Sequence, residues 1–250
     1  LGGAEVFYVR LVNALQERQG SVLAITSPGG LISQRLRPDV AQVHVPMRGI
    51  ADLPSRWRIG AIVRERRPDI VQTYMGRATR LTHLDPGRHA IHVARLGGYY
   101  DVKGYRHAHA WVGNTRGICD HLIRSGLPAD RIAHIGNFVD IPAAGSSENI
   151  AERRRQLDIP EEAIVLLAVG RFHPVKGFAD LLTAFSLLEE TIHGRPLILV
   201  IVGDGPMREE LRDRCAGAVF TGTLPHADVA TAMASAPRRT HAAHFSSLPA

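Results

Sequence analysis

The 250-residue chain has only two cysteines, Cys119 and Cys215, far apart and without metal-ligand spacing. This argues against a disulfide framework or a cysteine zinc site and leaves two reduced core thiols, as in a cytoplasmic protein. Long apolar runs are missing too: the longest, Leu197-Ile198-Leu199-Val200-Ile201-Val202, has strand length, far short of the ~20 residues that cross a bilayer. No charged-then-apolar secretion signal opens the chain. It begins at Leu1-Gly2-Gly3 without a methionine, which leaves open a leader ahead of it. Walker A, HExxH, GxSxG and a full GxGxxG are absent, which removes the signatures of P-loop, zincin, hydrolase and dinucleotide chemistry. No Arg/Lys block interleaved with aromatics is present, so nucleic acid is not an expected partner.

What is present is the composition of a globular protein able to bury a sizeable core, with 45% hydrophobic and 22% charged residues. The formal charge is +6 and the pI about 9.9, a balance that suits sugar nucleotides or anionic lipid.

Short apolar runs rich in β-branched residues alternate with helix-length amphipathic stretches. Strands are expected at Val22–Ile25, Val43–Val45, Asp69–Thr73, Ala90–Ala94 and Ala110–Val112. Between them come an opening helix with Phe7, Leu11 and Ala14 on one face, a helix through Trp57, Ile59 and Val63, and one capped by Thr115 running to Ser125. The pattern restarts after the small, polar Ala143-Ala144-Gly145-Ser146-Ser147. A charged helix holding Glu152, Arg153, Arg154 and Arg155 precedes a strand Ala163–Val169. A helix with Leu181, Phe185 and Leu188 on one face follows, then strand Leu197–Val202, helix Pro206–Cys215 and a short strand at Val219-Phe220. This is an α/β pattern of two Rossmann-like doubly wound units with parallel sheets. The boundary falls between Asp140 and Ser147, giving domains at 1–142 and 148–236 and a patternless tail at 237–250. The first unit lacks a strand ahead of Leu1, and the second is incomplete.

Candidate chemistry sits where strands end, because ligands bind outside the carboxyl edge of open α/β sheets. Val169-Gly170-Arg171-Phe172-His173-Pro174-Val175-Lys176-Gly177 brings two cations, Arg171 and Lys176, to one loop between a strand and a helix. Fixed positive charge of this kind serves a diphosphate leaving group; the alternative is a solvated loop. Val202-Gly203-Asp204-Gly205-Pro206 reads as a tight strand-to-helix turn that can border a nucleotide. Gly2 and Gly3 let an anion approach a helix N-terminus, or form a plain turn. Arg95-Leu96-Gly97-Gly98-Tyr99-Tyr100-Asp101 is a strand-end turn holding a cation and a carboxylate. Asp101 reads as a general base, a ligand of an acceptor hydroxyl, or a helix cap. His107 and His109 alternate as metal ligands on a strand would, but no third ligand accompanies them, so they read as solvated or core histidines.

Six segments in this order and spacing resemble glycosyltransferase family 4 of the GT-B fold. They are Gly2-Gly3-Ala4-Glu5, Pro68-Asp69-Ile70-Val71, Gly113-Asn114-Thr115, Asn137-Phe138-Val139-Asp140, Val169-Gly170-Arg171 with Lys176-Gly177, and Gly203-Asp204-Gly205-Pro206. The resemblance covers Gly2 through Ala236. It implies a retaining transferase that uses no metal and no cofactor, with a nucleotide-sugar donor and a glycan or lipid-linked acceptor. It places the enzyme in the cytoplasm, with peripheral contact at the inner face of an anionic membrane. Arg171 and Lys176 would hold the donor diphosphate, with Gly2 and Gly3 approaching from the first domain, Gly203 bordering the nucleotide, and Phe220 to Gly222 near its base. Acceptors would bind mainly to the first domain.

The chain also departs from the family. The turn after the fourth strand seen here, where many members carry a histidine, reads Arg95-Leu96-Gly97-Gly98. The family's paired glutamates, which grip the donor sugar and ribose, should follow Ala236, but the last acidic residue is Asp228. The expectation is therefore a chain with little transfer activity, or one that holds a nucleotide or sugar without transferring it. Read one base out of frame, codons for Arg238 and Arg239 can give Asp and Val, those for His241, Ala242 and Ala243 can give Met, Leu and Pro, and that for Phe245 can give Ser. The result approaches the family's sequence at this point, so a frameshift is the expected origin of the tail.

Overall fold

The computed structural model describes residues 2–84, 90–138, 146–215, 217–225, 228, 229 and 231. The chain divides into two compact units, Leu1–Val139 and Asp140–Ala250. Most of the segment read from the sequence as the boundary, and all of the tail 237–250, lie outside the described residues.

The first unit runs α1 (Gly3–Gln19), β1 (Leu23–Thr26), α2 (Leu31–Arg35), β2 (Ala41–His44), α3 (Leu53–Arg66), β3 (Ile70–Tyr74), α4 (Met75–Leu81), β4 (Ile91–Leu96), β5 (Ala110–Gly113), α5 (Arg116–Arg124) and β6 (Ile132–His134). Strands β1 and β2 pair in parallel, and β3-β4-β5-β6 form a second parallel sheet in that order. Ala94, fully buried on β4, lies between Thr73 and Trp111 in register. Helix α5 covers this strand with Ile118 and Leu122, and Thr115 caps it by accepting from the Ile118 amide at 3.2 Å, as its sequence suggests. Helix α3 starts at Asp52, whose carboxylate accepts from the Ser55 amide at 3.1 Å, and ends in left-handed Arg67. It turns Ile59, Ile62 and Val63 inward onto Val45 and Leu81. Each such side chain contributes about 1.5–3 kcal/mol by leaving water.

The second unit runs α6 (Ser147–Gln156), β7 (Ile164–Val169), α7 (Phe178–Ser186), β8 (Thr191–Ile192), β9 (Arg195–Val202), α8 (Arg208–Arg214) and β10 (Ala218–Gly222). The sheet order is β10-β9-β7, all parallel, with β8 added antiparallel to β9. Strand β9 is apolar from Leu197 to Val202, where both faces are covered. Leu199 and Ile201 meet Phe178, Leu182 and Leu211 on one side, while Val200 and Val202 meet Ile159 and Val165 on the other.

Three expectations need correction. Leu188 is not on the face of α7: the helix stops at Ser186 and Leu188 is left exposed. Helix α8 begins at Arg208, not Pro206, because Gly205 and Pro206 belong to a turn closed by the Arg208 amide on the Gly205 carbonyl at 3.1 Å. His107 and His109 precede β5 rather than riding on it.

These histidines belong to a polar chain inside the first unit. The Thr79 hydroxyl donates to the Met75 carbonyl at 2.9 Å, so the Thr73 hydroxyl must donate to Thr79, at 2.9 Å. Thr73 therefore accepts from His92 Nε2, also at 2.9 Å. One hydrogen per hydroxyl thus fixes the neutral tautomer of His92, a side chain with no exposed surface. Among the described residues its buried Nδ1 has no partner. His107 Nε2 donates to the Thr79 and Thr82 carbonyls at 2.8 and 3.0 Å, and its ring stacks on His83 at 4.0 Å. Burial first, and then the neighbouring His107, push the His92 pKa from its ordinary 6.5 down to about 4. A depressed histidine pKa means that the unfolded chain takes up the proton first. Stability from this group is therefore complete above the ordinary value and is lost as pH falls between 6.5 and about 4. Urea melts across that range should show falling stability, and His92→Gln should flatten the fall. An unchanged slope in the variant would assign the acid sensitivity to other groups.

Candidate functional site

At the carboxyl edge of the second sheet, two loops lie backbone on backbone. The Gly170 amide donates to the Val202 carbonyl at 3.0 Å, Phe172 to Asp204 at 2.9 Å, and Gly203 to Gly222 at 2.9 Å. Glycine is required for this approach. A Cβ on Gly205 would lie 2.5 Å from the Phe172 oxygen and 2.9 Å from its nitrogen, and one on Gly203, at φ 147°, would collide with the Gly170 carbonyl. Phe172 points into the core, edge-on to Phe178 at 5.2 Å and to Phe220 at 6.0 Å. Its neighbour Arg171 points the other way and is exposed.

Beside Arg171 is a pocket of about 270 Å³, floored by Gly170 and Gly203 and walled by Asp204, Thr223, Leu224 and Val229. Of the residues singled out in the sequence, Arg171 and Gly203 line it. Gly222 ends β10 with φ 74°, its carbonyl spent on Gly203, while Phe220 packs against Phe172 and does not line the pocket. Lys176 follows on the same loop in a short 3₁₀ turn, Pro174–Lys176, and is half-buried. After it, left-handed Gly177 opens α7 with no side-chain cap. Among the described residues neither Arg171 nor Lys176 pairs with a carboxylate, whereas Arg208 is neutralised by Asp204 at 2.7 Å. The site thus combines two uncommitted cations, an uncapped helix N-terminus and a glycine-floored pocket. An anion with an attached ring is what such a set can hold.

The pocket's far wall, Thr223, Leu224 and Val229, was missed from the sequence. Its only signal is the general rule that ligands sit beyond strand ends, applied to the chain after Gly222.

The candidates of the first unit are placed differently. The Gly2 amide donates to the Glu5 carboxylate at 2.7 Å, and a Cβ on Gly3 would meet nothing within 4 Å. The fold itself does not need glycine at position 3. Asp101 caps the 3₁₀ turn Val102–Gly104, accepting from the Lys103 amide at 2.9 Å, and remains exposed. Arg95, read as a cation of the strand-end turn, instead lies within β4 and is 5% exposed. Its guanidinium donates to the Ile135 carbonyl and Asn137 Oδ1, both at 2.9 Å, and lies 3.7 Å over the Phe7 ring. Burial lowers its pKa from the usual guanidinium value.

Alanine at the two kinds of glycine should separate their roles. Gly205→Ala should cost about 1–3 kcal/mol, because two backbone atoms must move. Gly3→Ala should change stability by less than about 0.5 kcal/mol. Urea denaturation of both variants measures this, and equal losses would refute the packing argument.

Residues 1–142 match the family model described as Glycosyltransferase Family 4, and residues 149–236 match Glycosyl transferases group 1. Two lipopolysaccharide core biosynthesis glycosyltransferases of Rhizobium meliloti, LpsD and LpsE, are 33% and 30% identical over 217 and 213 residues, each alignment covering 84% of this chain. The chain spans 58% of their length. Among solved structures, Anabaena HepE in complex with UDP and glucose superposes with TM-score 0.71 at 18% identity, covering 94% of this chain and 69% of that one. A glycosyltransferase from Rickettsia africae gives 0.72 at 18%, covering 94% and 68%. At such identity the likeness concerns the fold, the two-unit Rossmann-like GT-B type. With the family model matching more than half its length, the chain belongs to glycosyltransferase family 4.

Proposed function

We propose that this polypeptide serves transfer of a sugar, with retention, from a nucleotide-sugar donor to a glycan or lipid-linked acceptor at the cytoplasmic face of a membrane. The observation that carries the reading is the pair of uncommitted cations, Arg171 and Lys176, on the loop beside the glycine-floored pocket. The donor's nucleoside lies in that pocket, its diphosphate between the two cations and the amides at the start of α7. Gly2 and Gly3 give the donor room at the start of α1, where an added Cβ on Gly3 meets nothing. Gly222 closes the pocket's floor through Gly203, and Phe220 acts beneath it by packing Phe172. The acceptor lies on the first unit. There Asp101, whose side chain is exposed, takes up the acceptor hydroxyl's proton. The complexes of HepE with UDP and with UDP-glucose favour a uridine donor. LpsD and LpsE, both of lipopolysaccharide core biosynthesis, favour a lipid-linked oligosaccharide as acceptor.

A leaving diphosphate gains negative charge in the transition state, so fixed cations bind that state better than the ground state. In a chain carrying the full length of its relatives, Arg171→Ala and Lys176→Ala should each lower turnover by about 10²–10³ while weakening donor binding less. Arg171→Lys should also damage turnover, since Lys lacks the planar two-pronged donor. Steady-state kinetics with UDP-glucose decide the point. Unaltered turnover in both alanine variants would return the loop to plain surface.

A second reading is a chain that holds a nucleotide or sugar without transferring it. It rests on the same loop, since two uncommitted cations beside a glycine-floored pocket suffice to hold a nucleotide diphosphate without any group for transfer. Calorimetric binding of UDP by the 250-residue chain, with sugar transfer lost by orders of magnitude, is the outcome it expects. Robust transfer by the same chain would dismiss it.

A further inference from the structure

We propose that the outward face of α3, with the turn before it, is a docking surface for an anionic lipid bilayer. Ile50 is 57% exposed, Leu53 53% and Trp57 70%. Leu53 and Trp57 lie four residues apart on one stripe of the helix, and Arg64 continues it. Arg56 and Arg58 flank the stripe, Arg48 precedes it, and all three are exposed. The opposite face carries everything the fold needs from this helix, namely Ser55, Ile59, Ile62 and Val63. Nothing in folding therefore calls for tryptophan at position 57. A single exposed apolar residue needs no explanation, but an exposed Ile, Leu and Trp within eight residues, among arginines, does.

The charge of the segment selects the partner. Between positions 48 and 67 there are six arginines, 48, 56, 58, 64, 66 and 67, against two acids, Asp52 and Glu65. Asp52 is spent inside the turn, accepting from the Arg48 amide and from both the amide and hydroxyl of Ser55. Glu65 lies 3.6 Å from Arg66. An uncharged partner would leave the arginines unmatched, and a soluble anion would leave the tryptophan in water. An anionic bilayer matches both: the indole sits at headgroup depth while the guanidinium groups reach lipid phosphates. With 14 residues α3 is too short to cross a membrane, so it lies in the interface plane. This deepens the membrane-side part of the proposed function, and its readout is lipid binding rather than sugar transfer, so either can fail without the other.

The chain carries its own probe. It has two tryptophans; Trp111 is 3% exposed with its indole N–H on the Tyr105 carbonyl, so only Trp57 changes surroundings on docking. The 250-residue chain, at low salt, is to be mixed with vesicles of equimolar phosphatidylglycerol and phosphatidylcholine, and with phosphatidylcholine alone. Co-sedimentation and a blue shift of tryptophan emission are expected with the first and not the second. Trp57→Phe should lose the shift and keep the binding. The Leu53→Ser/Trp57→Ala pair should weaken partitioning about tenfold or more. The Arg56→Gln/Arg58→Gln pair should remove most of the preference for phosphatidylglycerol, and raising salt should mimic it. Thermal melts that match the parent would show that the variants fold. The proposal is overturned by no binding to the anionic vesicles, by equal binding to both vesicles, or by binding that neither double variant reduces. A blue shift with heparin but none with vesicles would also overturn it, in favour of a soluble polyanion.

Discussion

The contact on which the second unit depends is the backbone-to-backbone crossing of the loops after β7 and β9. Gly203 and Gly205 let the chain pass within hydrogen-bonding distance of Gly170 and Phe172, and no side chain fits between. Because Phe172 is thereby driven into the core against Phe178 and Phe220, its neighbour Arg171 must face outward. The position of the candidate cation is thus a consequence of the core packing of the next residue, Phe172. The Asp204–Arg208 pair at 2.7 Å lies on the same turn, but a pair this exposed adds little. The glycine crossing and its three amide bonds hold the geometry.

The first unit is tied at a single buried guanidinium. Arg95 joins β4 to the chain after β6 through Ile135 and Asn137, and to α1 through the face of Phe7. Phe7 in turn packs against Phe138 at 5.0 Å. A charge this deep is tolerated only because its hydrogen bonds and the ring face replace water. From sequence alone Arg95 is the cation of a strand-end turn, at the sheet edge where ligands bind. Burial reverses the reading: this charge organises the protein and has nothing to offer a ligand.

Strand-helix alternation and the cap at Thr115 were legible because each rests on local chemistry: β-branched runs, and a side-chain oxygen three residues ahead of an amide. What was illegible was short or stereochemically unusual. Strand β8 has two residues and is turned back by His193 and Gly194, both with positive φ. Glycine announces such a turn at the second position, but histidine at the first does not, where Asn or Asp would. Strand β6 has three residues, two of them exposed, so no alternation marks it. The His92–Thr73–Thr79 chain joins residues from three elements, and the spacing of its members carries no motif.

The glycines show how structure divides one sequence signal into two. Gly3 and Gly203 look alike in sequence, each at a turn that opens a helix, and each was read as a place where a donor comes close. In the fold they are opposites. An added methyl at Gly203 strikes the Gly170 carbonyl, so the fold accounts for that glycine without any ligand. An added methyl at Gly3, the first residue of α1, meets nothing within 4 Å among the described residues. Packing among the described residues therefore leaves the residue type at position 3 unexplained. The same holds for Trp57, whose exposed indole the fold does not use. The positions most informative about function are therefore those whose residue type the packing leaves unexplained; Gly203 lines the candidate pocket, but its being glycine is already required by the packing.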